Sequence, residues 1–154
     1  MATIKYSGGN ELKAVLEEMA QKLGRAQELS VGFMSGADYP DGTPVAMVAA
    51  IQNYGAPAMK IPARPFFSNM VKAKSPRWGE SLGNVLKAQN YDAELALKAM
   101  GIGISGQLQN SIRETNDPAL AAATIARKGF STPLIDTGKM LNSVQSAIDG
   151  EVQS

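Results

Sequence analysis

Four places in this 154-residue chain combine residue types and spacings that could do chemistry. Gly101-Ile102-Gly103-Ile104-Ser105-Gly106 has the glycine spacing that cradles a dinucleotide pyrophosphate. That chemistry needs the glycines directly after a strand, opening a helix, with an acid further on. Here they lie inside a helical pattern that runs through them without losing phase, and no strand precedes them. Small residues that let another helix approach closely explain the same run, at about 1 kcal/mol per glycine in helix propensity. Asp136, within Pro133-Leu134-Ile135-Asp136-Thr137-Gly138, could be half of a carboxylate pair that shares a proton. A homodimer would supply the other half. In the structural alternative Asp136 or Thr137 caps the next helical turn and Gly138 relaxes the backbone. Lys72, Lys74 and Arg77 flank Trp78. Cations beside an aromatic ring can hold a nucleic-acid strand, but a solvated helix face with Trp78 in the core accounts for them as well. Arg64 sits between Pro62 and Pro65, so its guanidinium is aimed. A carboxylate, in the same chain or the next, is its expected partner.

The composition narrows what these groups can do. The chain has no cysteine and no histidine. That excludes Cys/His zinc sites, cysteine nucleophiles, Ser-His-Asp triads and histidine bases. Carboxylates, lysines, tyrosines and a carboxylate-bound metal remain. Hydrophobic residues are 44% and charged residues 19%, a globular balance for one domain spanning 1–154. A net charge of +1 gives no global pull toward nucleic acid or a membrane surface. No run of 18 apolar residues would span a membrane, and residues 1–6 lack an apolar stretch of signal-peptide length. The expected site of synthesis and assembly is the cytoplasm.

The elements follow from periodicity. Residues 2–6 alternate weakly as a strand. Leu12, Val15, Leu16, Met19 and Leu23 predict an amphipathic helix over 11–23, with Asn10 as its N-cap and Gly24 at its end. Leu29, Val31 and Phe33 predict a strand. Thr43-Pro44 reads as a helix start, cap then first-turn proline, with the helix ending near Asn53-Tyr54-Gly55. Loops 34–43 and 56–65 are expected to be exposed, the second held extended by prolines. Helices follow from Phe66, restarting at Ser75-Pro76, then over 92–114 and 118–127. A helical turn over Gly138–Asn142 and a strand over 144–149 close the pattern. The expected class is α+β, a small antiparallel sheet of about three strands packed with several helices. Three short strands cannot cover all the apolar surface of the middle helices, so part of it is expected to meet neighbouring subunits.

Two resemblances bear on function. Leu134 to Gly138 resembles the active-site loop of aspartic proteases, which implies a dimeric maturation protease using Asp136. Only sixteen residues follow Gly138, however, too few for the strands such a barrel needs. The second resemblance covers roughly residues 28–148. It rests on Val31-Gly32-Phe33, Tyr39-Pro40-Asp41-Gly42, Asn53-Tyr54-Gly55, Ile61 to Phe67, Pro133 to Gly138 and Asn142-Ser143-Val144, in that order. In this order and spacing the chain resembles the tail-completion and head–tail joining (neck) proteins of tailed bacteriophages, including Mu-like virion-morphogenesis proteins. Tyr54 stands where members of that group often carry an acid.

This resemblance implies a non-enzymatic virion component with no cofactor, metal or small-molecule substrate. Such proteins form a homo-oligomeric ring in the neck or at the head-proximal end of the tail. Their partners are connector or portal-side proteins and tail tube, terminator or sheath proteins, with DNA crossing the lumen. Ring closure requires a heterologous interface. The residues expected to take part are Arg64, Pro65, Phe66 and Phe67 as a rigid inter-element or inter-subunit clasp, Tyr39 in a loop facing an adjoining ring, and Asp136, Thr137 and Gly138.

Overall fold

The structure is a computed structural model, which describes residues 8–120, 122–129, 134 and 138–153. The expected strand at 2–6 lies outside the described residues, as do Pro133, Ile135, Asp136 and Thr137. The class is α+β, with six helices and a three-stranded antiparallel sheet among the described residues.

Helix α1 spans Gly9–Leu23. It starts two residues earlier than its apolar stripe suggests. Gly8, with φ 96°, is the N-cap, and the Leu12 amide donates to its carbonyl at 2.9 Å, so Asn10 is already helical. Strand β1 (Leu29–Phe33) follows, then α2 (Val45–Tyr54). The N-cap of α2 is Pro44, not Thr43. Thr43 closes the preceding loop instead: its amide donates to Asp41 Oδ1 at 2.9 Å and its carbonyl accepts from the Tyr39 amide at 2.8 Å. Within the proline-rich stretch, Pro57–Met59 forms one 3-10 turn.

Helix α3 (Phe66–Ala88) runs unbroken through Pro76. Ser75-Pro76 therefore does not restart it. The carbonyl that loses its donor belongs to Lys72, on an exposed turn where water can substitute. Helix α4 (Ala93–Glu114) is capped by Asp92, whose Oδ1 accepts the Leu95 amide at 3.1 Å. The other Asp92 oxygen meets Arg25 at 2.8 Å and ties the end of α1 to the start of α4. Helices α5 (Ala122–Lys128) and α6 (Lys139–Asn142) precede β2 (Val144–Ile148) and β3 (Glu151–Val152). The expected helix over 118–127 is thus shorter and begins later.

The sheet order is β1-β2-β3, with Leu29 opposite Ile148 and Phe33 opposite Val144. Strand β3 is absent from the periodicity reading because two residues carry no alternation. Its signature is the turn: Asp149 and Gly150 both have positive φ, the geometry of a tight hairpin. Helix α4 is the central element, packed on α3 along one side and on β1 and β2 along the other. The main core joins Val45, Phe66, Met70, Leu108, Ile112 and Val144.

Gly101 explains how α4 lies so near the sheet. A Cβ there would sit 2.9 Å from Ser146 Oγ and 3.2 Å from Leu29 Cδ1. The close approach is to strands of the same chain, whereas Gly103 and Gly106 face open space. The glycine run is therefore helix–sheet packing in the middle of α4, not a phosphate loop at a helix start.

Candidate functional site

Two of the sequence signatures fold onto each other to make one corner. Asn53, at the end of α2, is buried. Its Oδ1 accepts the amides of Phe67 and Ser68, both at 3.1 Å, and its Nδ2 donates to Ser68 Oγ at 2.8 Å. Pro65 occupies the N-cap position of α3 and has no side-chain acceptor, so Asn53 caps that helix from another element. Two residues on, Gly55 has φ 78°, and a Cβ there would lie 2.8 Å from the Ala63 nitrogen. Only glycine lets the two strands of this corner come together.

Arg64 lies at the centre of the corner. Its amide donates to the Gln52 carbonyl at 2.7 Å, and its Nε donates to the Pro118 carbonyl at 2.9 Å. The residue is only 6% exposed, and burial draws its pKa down from the ordinary arginine value. A guanidinium still keeps its proton under such a shift. Among the described residues no carboxylate pairs with it, and its partner within the chain is a carbonyl. Within the described residues the Pro118 carbonyl, not an acid, meets the guanidinium, which corrects the same-chain half of the expectation and leaves a carboxylate of a neighbouring chain as expected.

Beside Arg64 opens a cavity of about 600 Å³, lined among others by Tyr39, Thr43, Gln52, Arg127 and Lys139. Gln52 Oε1 borders it, buried and without a hydrogen-bond partner. Asp41 stands at its edge, its carboxyl held below the usual carboxylate range by the Thr43 amide. Periodicity places Gln52 on one face of α2 with Val45, Val48 and Ala49 but gives it no functional role. It also stands one residue before the Asn53-Tyr54-Gly55 turn.

The remaining candidates are distributed as follows. Phe66 is fully enclosed, edge-on to Phe33 at 6.3 Å and to Phe67 at 6.5 Å, and its carbonyl accepts from Ser111 Oγ at 2.7 Å. Its clasp joins elements of one chain, and it presents no surface to a neighbour. Phe67 and Pro65 are half-buried. Gly138, with φ 76°, is the N-cap of α6. The roles expected of Asp136 and Thr137 fall outside the described residues. Trp78 is half-buried with its indole N–H donating to Gln107 Oε1 at 2.9 Å, so it bridges α3 and α4 while Lys72, Lys74 and Arg77 are exposed.

Among the described residues, exposed apolar side chains include Leu95 and Ile102 on α4 and two further groups. Helix α1 buries no residue: Leu12 is 60% exposed and Leu16 54%, with Val15 and Leu23 beside them. Its packing partner is α4, at the end tied by Arg25. On different elements, Met47, Tyr54 and Met59 project from α2 and the adjoining 3-10 turn, Tyr54 being 75% exposed. Among the described residues no group of three or more metal-ligating acids gathers, and no helix is long and apolar enough to cross a membrane. No family model, curated protein or solved structure matches the chain.

Proposed function

We propose that this chain is a structural virion protein that forms a ring in the neck of a tailed phage or at the head-proximal end of its tail, joining head connector to tail. The order of motifs supplies the setting. The observation that carries the physical argument is the open apolar stripe of α1. Fully burying a Leu or Val side chain contributes about 1.5–3 kcal/mol, so covering four half-exposed ones adds roughly 3–6 kcal/mol per contact. That is a large contribution left unused by the single subunit.

A closed ring needs two different, complementary surfaces on each copy. The α1 stripe and the Met47–Tyr54–Met59 patch lie on separate elements with separate packing partners, which suits such an arrangement. The Asn53–Arg64 corner stiffens the second patch, because Tyr54 and Met59 both project from it. Stiff contact surfaces lose less freedom on association.

Deleting the gene from the phage that encodes it and examining the lysate by electron microscopy tests this reading. Separate heads and tails are expected, and infectious joined particles would overturn it. Arg64→Ala is expected to impair joining more than folding. If the purified chain cut a peptide in a manner abolished by Asp136→Asn, the protease alternative would take its place.

A further inference from the structure

We infer that the groove between α2 and the aromatic wall of Phe33 and Phe67 is the seat for helix α1 of the next copy. This rests on the ring reading and names the surface that receives the apolar stripe.

Helix α1 is an arm. Its residues 9–18 are all exposed, and Met19 and Lys22 are half-buried toward the end where Arg25 meets Asp92. A helix of 15 residues with so little packing is marginal in water, so the arm is stabilised by a partner. The groove has a volume of about 170 Å³ and is lined among others by Ala46, Ala50 and Tyr54 of α2, facing Phe33 and Phe67. An apolar cavity of about 150 Å³ accepts a group the size of benzene, so this one suits a leucine side chain. No charged residue lines it, and α2 carries none over its whole length. The exposed positions of α2 are Ala46, Met47, Ala50 and Tyr54. A helix face meant for water would carry charges there. A nucleic-acid strand or an anionic lipid surface would need cations. An apolar helix stripe needs neither.

The occupant is a second copy because arm and groove stand at opposite ends of β1. Arg25 ties the arm to the start of α4 just before Leu29, whereas Phe33 reaches the groove, roughly 13 Å further along the strand. Helix α1 packs on α4, and α2 packs on α3, α6 and β1, so the arm does not fill the groove of its own subunit. Each copy offers an arm at one end and a groove at the other, the head-to-tail arrangement that a ring requires. Half the wall of the 15-residue helix, roughly 22 Å long, is about 500 Å². With the matching groove surface the contact buries about 1,000 Å², the lower bound for a specific interface, and a closed ring gives every copy two of them.

Sedimentation velocity of the purified chains tests the assignment. The parent is expected to self-associate. Ala50→Glu places an unpaired carboxylate in the groove and is expected to weaken association at least about tenfold. Ala50 is exposed and glutamate favours helix, so the fold is kept. A Leu12→Gln, Leu16→Gln chain loses the arm instead. Mixed one to one, the two variants are expected to form a dimer and no larger species, because one keeps its arm and the other its groove. The chain has no cysteine, so disulfide trapping gives a second readout. On oxidation of a Leu16→Cys chain mixed with an Ala50→Cys chain, the mixed disulfide is expected to outweigh either self-pair. Unchanged association of Ala50→Glu, a variant mixture that stays monomeric, or a dominant Leu16→Cys self-pair would overturn the assignment. If the leucine variant alone dissociates, the groove assignment falls and the ring reading stands. A parent that stays monomeric also overturns the groove assignment, and microscopy of particles then judges the ring separately.

Discussion

Replacing Asn53 by alanine removes three hydrogen bonds at once. Two are the only side-chain cap of α3, since Pro65 offers none, and the third joins Asn53 to Ser68. Losing a capping acceptor costs about 1–2 kcal/mol, and losing the remaining bond about 1 kcal/mol. The expected total is about 2–3 kcal/mol. In a domain of this length each kcal/mol moves the melting temperature by about 2–4 °C, so a fall of roughly 5–10 °C is expected. Asn53→Asp is the informative control. It keeps the acceptor, adds negative charge at a helix N-terminus where the dipole favours it, and lets the Ser68 hydroxyl turn to donate. Its cost at neutral pH is expected to stay below about 1 kcal/mol. Urea denaturation followed by far-ultraviolet circular dichroism measures both. An alanine variant as stable as the parent, or an aspartate variant as damaged as the alanine one, would refute the assignment of Asn53 as a cap.

Gly101→Ala should destabilise the fold by about 1–3 kcal/mol through overpacking against Ser146, while Gly103→Ala should stabilise it by up to about 1 kcal/mol, both read from urea midpoints. Leu12→Gln combined with Leu16→Gln should leave the unfolding free energy of the isolated subunit, from urea denaturation, within about 0.5 kcal/mol of the parent, since both side chains are exposed. On the proposed ring, the parent should self-associate in sedimentation velocity and this pair should not. The depressed Asp41 pKa means that its turn is held at neutral pH and loosens as pH falls through the folded-state value. Hydrogen exchange at the Thr43 amide, corrected for intrinsic rate, should therefore show less protection in acid, and Asp41→Asn should remove the pH dependence.

The long helices were legible because three- and four-residue spacing survives any tertiary context. The α1 stripe, the α4 run through Ile104, Leu108 and Ile112, and the alternation of β1 all lie where periodicity puts them. Boundaries shifted where a side chain had a competing bond. Thr43 serves its loop and leaves the cap to Pro44, and Asn10 is displaced by Gly8, whose positive φ starts the helix sooner. Pro76 reads as a break, but a missing donor on an exposed turn is tolerated. In the candidate site, the stiffness of the 61–67 segment was legible in its prolines. Its connection to Asn53 and to Pro118 was not, because contacts across 14 and 54 residues leave no local pattern. The same limit hid the unpartnered Gln52 oxygen, which only the folded corner isolates.

The proposal that this chain is a phage neck or tail protein is tested most directly by electron cryomicroscopy of tailed particles purified from cells that carry its gene. The account predicts a closed ring of its copies at the junction of head and tail, with Leu12 and Leu16 of each copy covered by the next. Particles that lack the polypeptide, or a ring in which the α1 stripe faces solvent, would contradict it.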